Sequence, residues 1–352
     1  QMLAELDALY RNGYRGGLDF VDDNFIGNKK AVKAFLPHLI AWQKARGYPF
    51  TFSTEASINL SDDDVLLALM REANFTMIFV GIESPDTETL VSTQKTQNTR
   101  RSLADSVHKI YRAGMFVNAG FILGFDSEKG AVADEMIACI EATAIPISII
   151  SLLYALPSTQ LYRRLEKEGR LYPADYHKLR VSGEGIGDQC TAGLNFETAR
   201  PRRDILLDYR RILAHVYRPK AYYERVRTVA RLLKRPKLDR SASADPAPRR
   251  LFTIPIRDLA MLWRLVRHIV MWQPQALWQF CKVLVECARN NPRALAAVGS
   301  LAALYLHARP FSRFVISVID RELALGESAR PSVLAPAARD DEQETLPAAK
   351  VA

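Results

Sequence analysis

Cysteine is scarce in this chain of 352 residues. The four cysteines, Cys139, Cys190, Cys281 and Cys287, include no CxxC pair. That excludes a disulfide framework and a paired-thiol zinc site, and reduced thiols in the cytoplasm are the simplest expectation. Cys281 and Cys287 lie about 240° apart round a helix, so they do not converge on one ligand. Long apolar runs are also missing. The longest, Ala294 to Leu306, is too short to span a bilayer. No GxSxG elbow appears, which weakens a hydrolase reading. No motif for nucleic acid is present, so no nucleic-acid partner is expected.

What is present is an ordinary globular composition, 48% hydrophobic and 25% charged, enough for one large core or two moderate ones. The net charge of +9 is concentrated. Residues 200–250 hold sixteen Lys and Arg against five Asp and Glu, and the rest is close to neutral. Such arginines usually cover amphipathic helices; an anionic partner is the other reading.

Five strand-like segments recur in the first half, at 18–24, 50–55, 77–84, 117–126 and 147–154. Helical periods follow them at roughly 29–46, 61–73, 99–113, 130–144 and 158–169. This is a βα array, and the strand interiors show little alternation, as expected for parallel strands covered on both faces. Ser61 and Ser158 read as helix caps. Gly47, Gly114 and Gly169 stand where helices should stop. The fold expected is α/β, a partial (βα) barrel followed by a helical C-terminal extension. The segmentation is 1–175 for the partial barrel, strands two to six, and 176–235 for the extension, a loop then helices. A linker at 236–250, a helical region at 251–327 and a disordered tail at 328–352 follow. Within the helical region, which bears Trp263, Trp272 and Trp278, the Trp, Phe and Leu residues between 252 and 318 suit a bundle core better than a lipid-facing surface or a hydrophobic lid.

In parallel barrels the chemistry sits at the carboxyl ends of the strands. Asp22, Asp23, Glu55 and Glu83 with Ser84 all fall at such ends, and no histidine does. The two aspartates could meet a cation or an amino group, or could cap the helix beginning near Asn28. Gly120, Ile122 and Gly124 mark a strand end where backbone approaches either a ligand or a neighbouring element. Gln97 and Asn98 stay open between ligand contact and capping, with Thr99 favoured as a cap.

The ordered strand ends Phe-Val-Asp-Asp-Asn-Phe (20–25), Ser-Thr-Glu-Ala-Ser (53–57), Val-Gly-Ile-Glu-Ser-Pro (80–85), Gln-Lys-Thr-Gln-Asn-Thr (94–99), Gly-Phe-Ile-Leu-Gly-Phe-Asp (120–126) and Ala-Leu-Pro-Ser-Thr-Gln-Leu-Tyr (155–162) resemble the radical SAM superfamily. They resemble its cobalamin-binding class most. The stretch 187–196, with Val216-Tyr217-Arg218-Pro219 and Tyr222-Tyr223-Glu224-Arg225, is similar to that class's C-terminal extension. Within the class, the hopanoid methylase family is the nearest resemblance. It implies a methyltransferase acting on an unactivated carbon of a small-molecule or lipid substrate. S-adenosylmethionine, a [4Fe-4S] cluster and cobalamin are its implied cofactors.

By the same resemblance Asp22 and Asp23 meet the methionine end of S-adenosylmethionine. Glu83 and Ser84 approach its ribose and carboxylate, and Gly120, Ile122 and Gly124 pack near the adenine. Glu55 is a ligand or substrate contact. No residue is assigned to catalysis or to a metal, because the CxxxCxxC loop that would hold the cluster is absent from the sequence. The cobalamin-binding domain is absent too. The expectation is therefore a C-terminal fragment, inactive alone, whose partner is the upstream part of the same enzyme. It is expected in the cytoplasm, with peripheral membrane contact as a further expectation. The alternative is a cluster-less barrel that binds a ligand or partner without catalysis.

Overall fold

The structure, a computed structural model, describes residues 1–86, 102–173, 193–235, 263–264, 266–267, 269, 271 and 273–325. Helix α1 (Met2–Arg11) leads into β1 (Gly16–Phe20), α2 (Lys29–Ala45) and β2 (Phe50–Glu55). A 3-10 turn, Ile58–Asp62, precedes α3 (Asp64–Glu72) and β3 (Phe75–Glu83). Then come α4 (Leu103–Arg112), β4 (Phe116–Leu123), α5 (Val132–Thr143), β5 (Ser148–Leu152) and α6 (Gln160–Lys167). The five strands form one parallel sheet in the order β1-β2-β3-β4-β5. This is the expected half-barrel. The expected linker, the tail, Gln97, Asn98, Thr99, Cys190 and Trp272 lie outside the described residues.

Local chemistry explains the boundaries. Asn28 caps α2 by accepting from the Ala31 N–H at 3.1 Å, so neither Asp22 nor Asp23 does. Asp63 caps α3 by accepting from Leu66 at 3.0 Å and pairs with Lys33 at 2.7 Å. Ser61 is instead buried in the 3-10 turn. Thr159, not Ser158, caps α6; Ser158 sits at φ 68. Gly47, Gly114 and Gly169 end their helices at positive φ as expected.

The helix-facing side of the sheet is the core. Phe20, Phe52 and Phe75 pack ring against ring at 5.2–5.6 Å, and Trp42 stacks on Phe50 at 5.5 Å. The other side differs from expectation. Burial alternates along the strands, most plainly in β2, where Phe50, Phe52 and Thr54 are buried but Thr51 and Glu55 are exposed. The concave face is covered only in part because a half-barrel brings no facing strands to fill it.

Beyond 201 the elements among the described residues are helical: α7 (Arg202–Val216), α8 (Pro219–Leu232), α9 (Pro274–Asn290), a short 3-10 turn and α10 (Leu295–Leu325). Tyr209 and Tyr217 tie α7 to the sheet by donating to Ile150 O and Ser148 O, at 2.8 and 2.7 Å. Four arginines of this region are tied into the fold. Arg211 pairs with Asp134, Arg210 with Asp320 and Arg227 with Glu286. Arg225 is buried and its guanidinium reaches Glu141, Ile145 O and Val216 O. The bundle-core expectation holds for Phe280 and Leu301, which are buried, but not for Trp263 and Trp278, which are exposed.

Candidate functional site

Because β1 to β4 are parallel neighbours, the tips carrying Asp22, Asp23, Glu55, Glu83, Ser84 and Gly124 share one edge of the sheet. The loop after β1 is stitched to the tip of β2. Phe25 donates its N–H to Glu55 O at 3.0 Å. Asn24 Oδ1 accepts from the backbone N–H and the hydroxyl of Ser57, both at 3.1 Å. Asp22 shapes this loop by accepting from the Asn24 N–H at 3.0 Å. Asp23 is exposed and is given no such task.

The Glu55 carboxylate has no hydrogen-bond partner or cation among the described residues. Its carboxyl is held above the usual carboxylate range, first by desolvation and then by the charges of Asp23 and Asp19. Asp19 itself accepts from the Ser53 hydroxyl at 2.7 Å. The β1–β2 edge therefore carries negative charge with no counter-ion among the described residues. Its chemistry suits an ammonium or other cationic group.

Glu83 sits at the β3 tip with φ 67, beyond a bulge in the β3–β4 register. A non-glycine residue in this left-handed region costs on the order of 1 kcal/mol or more, so packing around the tip enforces it. Ser84 is buried, and its hydroxyl accepts from the Asp86 N–H at 3.1 Å.

The β4 residues divide. Gly120 and Ile122 alternate onto the half-covered concave face. A Cβ on Gly120 would stand 3.2 Å from the Phe79 ring, so an aromatic plate already lies against this glycine. Gly124 is closed by the chain itself. Its N–H donates to Glu128 Oε1 at 2.8 Å, and a Cβ there would stand 2.4 Å from Leu194 Cδ2. Asp126 is likewise occupied, held well below its usual range chiefly by the Arg170 guanidinium.

The segment 193–197 closes this side of the mouth. Leu194 donates to Leu153 O at 2.7 Å. The Asn195 side-chain amide pairs with Ala155 N–H and Ala155 O at 2.8 and 3.0 Å. The Leu-Asn-Phe part of the extension motif is thus a clamp on the β5 tip.

Sequence reasoning missed three concave-face residues: Asp19, Phe79 and Asn118. Register pairs Glu55 with Phe79 and Phe79 with Asn118, so they form a band across the sheet. Asn118 Oδ1 is buried there without a hydrogen-bond partner. Period-two counting from the tips would have found all three. No group of His, Cys, Asp or Glu that could hold a metal ion exists among the described residues.

Residues 159–321 match a family described as a domain of unknown function, DUF4070. The chain is 46% identical over 225 residues to an uncharacterised methyltransferase, sll1242, of Synechocystis sp. (strain ATCC 27184 / PCC 6803 / Kazusa). It is 36% identical over 225 residues to the hopanoid C-2 methylase of Rhodopseudomonas palustris (strain TIE-1). Each match covers 64% of this chain, which spans 40% of the length of these relatives. One solved structure, the cobalamin-dependent S-adenosylmethionine radical enzyme OxsB with aqua-cobalamin bound, is similar with a TM-score of 0.42 and 12% identity, over 92% of this chain and 50% of that one.

Proposed function

We propose that this chain is part of a longer methyltransferase of the cobalamin-binding class of the radical SAM superfamily, similar to the methylases it matches, and that it holds S-adenosylmethionine there. The acceptor is an unactivated carbon of a hopanoid-type lipid. On this reading residues 1–175 are the barrel part and 176–235 the extension that closes it.

The observation that carries the proposal is the uncompensated acidic mouth formed by Asp23 and Glu55. S-adenosylmethionine presents an ammonium and a sulfonium, and either relieves the repulsion between these acids. Asp22 and Glu83 border the same edge. The Phe79 ring beside Gly120, with Ile122 on the same face, offers a flat apolar surface to a base. Asn118 Oδ1 offers an acceptor to an amino group. Gly124 is left to packing. When bound, S-adenosylmethionine supplies the transferable methyl and adenosyl groups. This chain's residues bind and orient it.

The thiols among the described residues do not fit an iron–sulfur cluster. Cys139 lies on α5, with Cys281 and Cys287 on α9. In the longer enzyme, Glu55→Gln should weaken S-adenosylmethionine binding about tenfold, the value of one charge-assisted hydrogen bond. Glu83→Ala should weaken it as well, with the melting curve unchanged. Calorimetric affinities equal to wild type in both variants would refute the assignment. The isolated chain should turn over no substrate, and methylation by it alone would overturn the reading.

A further inference from the structure

Every exposed tryptophan and phenylalanine among the described residues lies between positions 263 and 314. They are Trp263, Trp278, Phe311 and Phe314, and neither the half-barrel nor α7 and α8 has an equivalent. On α10, Leu304, His307, Phe311 and Phe314 recur at helical spacing. The His307 and Phe311 rings are stacked at 6.0 Å, and Phe311 lies 6.5 Å from Phe314. They form one continuous stripe. It is not the face that α10 packs inward. That face carries Leu301, whose carbonyl accepts from Tyr222, and Tyr305, which lies 4.6 Å from the Tyr222 ring.

The charges on this layer are sorted. Of its three acids, Glu286 and Asp320 are drawn to Arg227 and Arg210 of the preceding helices, and Glu322 lies near the C-terminal end of α10. Its cations Lys282, Arg289, Arg293 and Arg313 pair with no carboxylate among the described residues. Exposed rings beside uncompensated cations are the composition of a helix lying in a membrane interface. The interior of a protein interface is instead depleted of lysine. No helix among the described residues is long and apolar enough to cross a bilayer, so the contact is peripheral.

We propose that the outer faces of α9 and α10 dock on an anionic lipid surface. The rings of Trp278, Phe311 and Phe314 enter the headgroup boundary, and Lys282 and Arg313 meet the lipid phosphates and carboxylates. The surface alone carries this proposal, which stands whether or not the methyltransferase reading does.

Co-sedimentation of the full chain with vesicles tests it. Vesicles of phosphatidylcholine with phosphatidylserine should bind the chain, and added salt should release it. Pure phosphatidylcholine should bind it weakly. Phe311→Ser with Phe314→Ser should lower the partition coefficient about tenfold. Lys282→Gln with Arg313→Gln should lower it roughly thirtyfold on anionic vesicles alone. All four positions are solvent-facing, and an unchanged circular-dichroism melt confirms that the variants fold. Absence of binding, equal binding to both vesicle types, or an unaltered phenylalanine variant overturns the proposal. So does a dimer, seen by sedimentation equilibrium, that the phenylalanine variant converts to monomer.

Discussion

Gly124 separates two explanations that share one residue. If its lack of a side chain serves a ligand, Gly124→Ala should weaken S-adenosylmethionine binding and leave stability alone. The structure argues for packing. An alanine Cβ would stand 2.4 Å from Leu194 Cδ2, and the residue has φ 106. The backbone term costs about 1–3 kcal/mol. Overpacking against a fully buried leucine adds about 1–3 kcal/mol. The lower entropy of the unfolded alanine chain returns about 0.4–1 kcal/mol. The net expectation is a loss of about 2–5 kcal/mol, read as a shift of the urea midpoint at constant slope. A double-mutant cycle with Leu194→Ala tests the cause. That substitution costs about 2–5 kcal/mol by itself, yet it removes the clash, so Gly124→Ala should then cost only the backbone term. A neutral Gly124→Ala, or two costs that simply add, would refute the packing argument.

Arg225→Met should destabilise the chain by about 3–5 kcal/mol in urea unfolding, because Ile145 O and Val216 O lose a buried donor and Glu141 its cation. Arg225→Lys should rescue little, since one ammonium cannot serve three acceptors that the guanidinium fork reaches together. An Arg225→Met variant as stable as wild type would refute that role. Asp126 and Glu128 should give opposite pH slopes to stability. Asp126 is lowered first by its hydrogen bond to Arg170, so its contribution is present above the ordinary carboxylate range and lost as pH falls through the depressed value. Glu128 is raised by burial, so the folded state binds its proton more tightly and stability falls as pH rises from the ordinary range through the raised value. Asp126→Asn should flatten the acid side of the profile and Glu128→Gln the rise-side loss. Urea midpoints against pH that keep both slopes would refute these assignments.

What the sequence revealed and what it hid follow from the range of each interaction. The half-barrel was legible because β-rich runs alternate with helical periods, both local signals. Strand ends were less so: β5 is Ser148–Leu152, shorter than the 147–154 expected. Its tip leaves the sheet for contacts that residues 194 and 195 supply. The caps failed where a short 3-10 turn or a left-handed serine moved the helix start by one or two residues. The destinations of Arg210, Arg211 and Arg225 were hidden, since their partners lie 77 to 110 residues away. Exposure of Trp263 and Trp278 was hidden because an apolar helix reads alike whether it is buried or uncovered.

The candidate site sits between these cases. That acids cluster at strand ends was visible in the sequence. That Asp23 bears on Glu55, 32 residues on, needed the β1–β2 register. Only then does the bland explanation lose its footing. Capping and loop closure at this edge are already performed by Asn28, Asp22 and Asn24. The carboxylates of Asp23 and Glu55 perform neither task, and the charge of Asp23 adds to the desolvation that raises Glu55. Two neighbouring carboxylates without a counter-ion among the described residues are the arrangement that a cation repays on binding, so the proposed ligand contact turns on Glu55 rather than on the glycines.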